Sequence, residues 1–208
     1  MPRGSSIVLS IIAVAVALTS QPATALAQEA EPAVEPAAPA ASYSDPAALA
    51  VLPIAEADRA AATVLGYEDG ALVTLREGTG AFICMTDNPS DERFQVLCYH
   101  KSLAPYMERG RELRTEGISG KAGIEKRWEE IDAGTLDMPR HPAALHQLFG
   151  KDPAAVTLEN ADSLSRLTVI YMAYATAEDT GVLGQPSRGE PWLMYPGKPT
   201  SHVMISGR

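Results

Sequence analysis

Alternation of apolar and polar positions starts at residue 63 and organises the chain from there on. Residues 63–67 (TVLGY) and 71–76 (ALVTLR) flank Glu68-Asp69-Gly70. Asp-Gly supplies the positive φ angles that a tight hairpin turn requires. In the second run Leu72, Thr74 and Arg76 face one way while Ala71, Val73 and Leu75 face the other, the period of a half-buried strand. Gly78-Thr79-Gly80 makes the next turn. Residues 81–86 (AFICMT) and 94–100 (FQVLCYH) read as a third and a fourth strand around the polar loop 87–93. Four sequential strands with short turns predict an antiparallel meander.

Beyond His100 the apolar period changes to three and four. Leu103, Tyr106, Met107, Gly110 and Leu113 fall on one helix face, with Glu108, Arg109, Glu112, Arg114 and Glu116 as a solvated stripe. Gly117 ends this helix. A second helix spans about 121–133, with Ile124, Trp128 and Ile131 as its apolar stripe, Ser119 as its cap and Gly134 closing it. Residues 138–142 (MPRHP) must be extended or turned, because each proline disfavours helix at the residue before it. Residues 143–149 (AALHQLF) read as a short helix stopped by Gly150, and 167–175 (LTVIYMAYA) as the most strand-like run. A loop rich in Gly and Pro leads to 191–195 (PWLMY), and 202–205 (HVMI) forms a last strand. The expected fold class is α+β. A mainly antiparallel sheet combines an N-terminal β-meander with two or more C-terminal strands, and two or three helices pack on one face.

The N-terminal 59 residues lack this patterning. Arg3 precedes an uncharged run, residues 7–18, and Ala25-Leu26-Ala27 offers a small-x-small cleavage pattern. These are the marks of a signal peptide over residues 1–27 that leaves Gln28 as the mature N-terminus. The 12-residue run is short for a spanning helix, which needs about 20 apolar residues. Residues 28–59 form an Ala/Pro/Glu-rich tether, with a possible short helix capped by Asp45 and interrupted by Pro53. Residues 60–208 then make a single globular α+β domain. The chain is expected to be periplasmic or secreted, with no membrane span after cleavage.

Charge narrows the partners. The formal net charge is −9, and removal of residues 1–27 takes away one base, Arg3, and no acid, leaving −10. Phosphate binding needs a basic face, so nucleic acid is not an expected partner. The two cysteines, Cys84 and Cys98, sit on strands flanking one polar loop, and in an exported chain they are expected to pair. Closing a loop of that length contributes roughly 3 kcal/mol in the chain-entropy description.

Candidate chemistry is sparse. There is no phosphate loop, dinucleotide fingerprint or nucleophile elbow. His100 ends a strand, His202 begins one and His141 lies in a loop, so the three can converge at one sheet end as metal ligands. His141 and His146 are five residues apart across a prolyl turn, which puts them on different helix faces. Glu178 follows a strand, and Trp192 opens a Trp-Met-Tyr patch that suits either a pocket wall or a core. Ser201 beside His202 is adjacency in sequence, a poor guide to a catalytic pair.

Three segments, DERFQVLCYH running into LAPYMERGREL, then MPRHPAAL, then PWLMYPGKPTSHVM, resemble those of a family of uncharacterised exported bacterial proteins with no assigned activity. The similarity covers most of residues 60–208 and implies no catalytic or cofactor residue. Leader, tether and closed loop without a catalytic set lead to an exported domain that binds a small ligand or a cell-envelope partner. The alternative is a metal-dependent or hydrolytic enzyme using the histidines. No particular cofactor is implied.

Overall fold

Two antiparallel pairings and one parallel one build the first half of the sheet. The computed structural model describes residues 45–187 and 189–207. The expected leader, and the tether as far as residue 44, lie outside the described residues. Strands β1 (Thr63–Glu68) and β2 (Ala71–Arg76) form the predicted hairpin, with Asp69 and Gly70 both at positive φ. The expected meander stops there. Strand β3 (Phe82–Met85) returns to pair with β1 in parallel, and β4 (Gln95–His100) pairs antiparallel with β3. The cause is a close crossing. Gly80 N–H donates to the Ala61 carbonyl at 2.7 Å, and a Cβ on Gly78 would lie 2.3 Å from that same oxygen. Two glycines therefore let the chain after β2 pass against the start of β1.

Residues 143–149, expected as a short helix, form strand β5 (Ala143–Phe149). The segment lies between β4 and β6 (Ser165–Tyr171) and is antiparallel to both. Pairing on two sides satisfies its backbone and outweighs the modest helix preference of Ala, Leu and Gln. Strands β7 (Trp192–Met194) and β8 (His202–Gly207) complete an eight-stranded sheet of order β2-β1-β3-β4-β5-β6-β8-β7. The molecule is α+β, with β1–β3 the one parallel pair among the named strands.

Register assigns the two faces. On one, Leu97, Tyr99, Leu145, Val169 and Met204 pack with Met107 of helix α3 (Ala104–Thr115). Helix α4 (Gly120–Asp132) lies against α3; Ser119 stands at its cap position but makes no side-chain capping bond. On the other face, Val64, Cys84 and Cys98 meet Ala50, Val51 and Ile54 of the segment that begins with helix α1 (Pro46–Ala50). Asp45 caps α1 by accepting from Ala48 N–H at 3.0 Å, and Pro46 occupies its first position. A second short helix, α2 (Glu56–Arg59), follows Pro53. Helical cover therefore lies on both faces, and the core includes residues ahead of Ala60. Among the described residues no helix is long and apolar enough to cross a membrane.

Cys84 and Cys98 are directly opposed across β3 and β4, with Cα atoms 4.0 Å apart, and form the expected disulfide. Both are fully buried. The bond closes the base of the loop between these strands, and that loop borders the largest cavity described below.

Candidate functional site

Helix α3 covers part of the sheet and leaves a groove along its flank. Tyr106, Gly110 and Leu113 face inward and are buried. Met107, Arg111 and Arg114 fall at i, i+4 and i+7, hence on a common flank. Below that flank a cavity of about 400 Å³ is lined by Tyr67 of β1, Met85 of β3, Gln95 and Leu97 of β4, and Met107 and Arg114 of α3. Asn88 and Asp91 of the disulfide-closed loop complete its rim. A second cavity of about 250 Å³ continues from Gln95 across Gln147, Phe149 and Leu167. The floor alternates Met and Leu with neutral amides because β4, β5 and β6 each present every second residue to this face.

The rim is held from below. Asp87 is buried, and its Oδ1 accepts from Gln95 N–H at 2.6 Å. Asn88 Nδ2 donates to Asp91 Oδ1 at 3.1 Å and Asn88 Oδ1 accepts from Ser90 N–H, which shapes the loop as a set of short turns. Burial, and then the nearby Asp91 carboxylate, push the Tyr67 phenol above its ordinary value. Arg114 and Arg111 oppose that shift. Arg111 reaches Met85, its Nη1 lying 3.8 Å from the sulfur. The Tyr99 phenol lies within the core beneath this face, and burial raises it as well.

The histidines expected to converge are dispersed. His100 shares a face with Phe82, ring centroids 6.1 Å apart, and its Nδ1 lies 2.8 Å from Ser102 Oγ. His202 lies on the opposite face against Tyr171, at 4.9 Å. Three strand steps separate them, roughly 14 Å at ordinary sheet spacing. His141 is exposed in the turn before β5. His146, set apart in the sequence reading, is the histidine found near His100, its ring 6.0 Å from that of Phe82. Among the described residues no group of three or more His, Cys, Asp or Glu is placed to hold a metal ion.

His202 belongs to an aromatic seam rather than a cleft with Glu178. Its Nδ1 donates to the Thr200 carbonyl at 2.7 Å, and its ring also meets Tyr195 at 5.8 Å. Trp128 of α4 stacks edgewise on Tyr195 and donates to Thr200 Oγ1 at 2.6 Å. Ser201 turns away, donating to the Ala175 carbonyl at 2.7 Å, so no Ser201–His202 pair forms. Trp192 lies half-buried in the edge strand β7, paired with Met204. Glu178 is exposed in helix α5 (Ala177–Thr180), whose Thr176–Asp179 capping box involves its neighbours instead.

Sequence reasoning missed the groove residues. The apolar period puts Met107 on the buried face and Arg114 on the solvated stripe; the boundary between those stripes is where the groove runs. No known protein family, curated protein or solved structure matches the chain.

Proposed function

We propose that this is an exported ligand-binding domain, periplasmic or secreted, whose site is the groove between α3 and the sheet. One observation carries the reading: two cavities share Gln95 in their linings, with a Met/Leu floor and a rim of amides, Tyr67, Asp91 and Arg114. A volume of about 400 Å³ falls within the range of small-molecule sites. The apolar leader and the Cys84–Cys98 bond support action outside the cytoplasm. Metal-dependent or hydrolytic chemistry at His100, His141 and His202 has no comparable support, because the described residues offer no shared ligand set.

The test uses Gln95, which is exposed and lines both cavities. Scanning fluorimetry of the purified protein against a library of small amphiphiles should give compounds that raise the melting temperature. Those shifts should vanish in Gln95→Trp, where an indole occupies the junction. Compounds that stabilise wild type and variant equally would place binding elsewhere and refute the proposal.

A further inference from the structure

The charges around the groove identify its ligand more closely, on the premise that the groove is the binding site. Most of the arginines near it or in the helices are committed. Arg109 reaches Glu112, Glu116 and Glu130, and Arg127 donates to the carbonyls of Gly123 and Tyr106. Arg76 is bound to the Arg59 and Ala62 carbonyls, and Arg166 faces Asp162. Arg114 and Arg93 differ. Among the described residues neither forms an ion pair or a hydrogen bond, and they line the two adjoining cavities. The acids beside them are engaged in the loop: Asp87 accepts from Gln95 N–H and Asp91 from Asn88. Those bonds come from neutral N–H groups and leave both acids charged, but among the described residues neither carboxylate pairs directly with Arg114 or Arg93, whose guanidiniums keep their donors for a ligand on the groove walls.

We propose that the groove binds a single-chain amphipathic carboxylate, its head group at Arg114 beside Tyr67 and its apolar chain along Met85, Leu97 and Met107. A guanidinium fork with one adjacent phenol offers donors suited to the two oxygens of one carboxylate. Methionines supply a deformable, polarisable wall that accepts a flexible chain without a fixed shape. Gln95 sits where the chain passes from the first cavity towards Leu167 in the second.

Titration calorimetry with decanoate and with decanol, both below their aggregation limits, separates head-group recognition from chain burial. Decanoate should bind the wild-type protein at least tenfold more tightly than decanol. Arg114→Gln should bring decanoate down to the level of decanol and leave decanol unchanged. Gln95→Trp should abolish both, with Leu97→Trp as a second block. Equal affinity for the two amphiphiles, or full decanoate binding in Arg114→Gln, would overturn the carboxylate assignment; the groove itself would still stand if Gln95→Trp abolished binding. Decanoate binding unaffected by both blocking variants would overturn the groove as well. No binding of either amphiphile to the wild type would overturn this inference and leave the groove to the library screen.

Discussion

Cys84 and Cys98 face each other across strands that are already hydrogen-bonded, so their bond acts chiefly on the unfolded chain. Replacing both with Ala should cost about 3 kcal/mol of unfolding free energy, read as a lower urea midpoint with the native sheet signal retained. An unchanged midpoint would contradict that account. This pair was legible because cysteine count and export context point to one partner only. The histidines were not, because strand parity decides which face each one takes, and parity needs the register. His146 and His202 are both held below the ordinary imidazole range by burial, with the Thr200 carbonyl partly opposing the shift at His202. In the folded chain they take up protons at lower pH than an ordinary imidazole, whereas the unfolded chain takes them up near pH 6.5. Their contribution to stability is therefore present above about pH 6.5 and is lost as pH falls through their lower folded values. Urea unfolding at about pH 7.5 and about pH 5.5 should show this loss, and His202→Phe should reduce it. An identical pH slope in the variant would assign the effect elsewhere.

Helices α3 and α4 were legible from their three- and four-residue apolar spacing and their terminal glycines. Their mutual docking was not. It depends on Arg127, whose guanidinium lies 4.0 Å from the Tyr106 ring centroid while donating to the carbonyls of Gly123 and Tyr106. Gly110 supplies the necessary notch, since a Cβ there would lie 2.8 Å from Arg127 Nη1. Arg127→Ala should destabilise the fold by about 2 kcal/mol, losing a stacked cation and two backbone bonds. Arg109 should matter less than Arg127 and lose part of its effect in high salt, because Glu112 and Glu116 lie towards solvent while Glu130 is part-buried. Equal losses for the two alanine variants, both salt-insensitive, would contradict this division. Strand β5 shows the reverse failure of sequence reading. AALHQLF has the composition of a helix, and only the strands on either side of it make it a strand. The parallel return of β3 was hidden for the same reason, since a crossover beside β1 depends on contacts between Gly78 and residues 61–63.

At the level of the whole molecule, α+β architecture follows from alternation in the first half and helical spacing in the middle, both visible along the chain. The groove is not visible there, because its walls come from segments far apart in sequence. Tyr67, Met85, Leu97, Met107 and Leu167 share a surface only once β3 has inserted between β1 and β4 and α3 has crossed above them. The disulfide bears on the site through the same geometry, since it fixes the base of the loop that carries Asn88 and Asp91. Reduction should therefore weaken ligand binding under conditions where the fold persists, measurable by calorimetry with and without reductant. The most direct test of the groove as the binding site is an amide chemical-shift map of the protein titrated with decanoate. Shifts should concentrate in Tyr67, Met85, Gln95, Leu97, Met107 and Arg114 and be absent in Gln95→Trp. Shifts clustered instead around His202, Trp192 and Glu178, or on the α1-covered face, would contradict it.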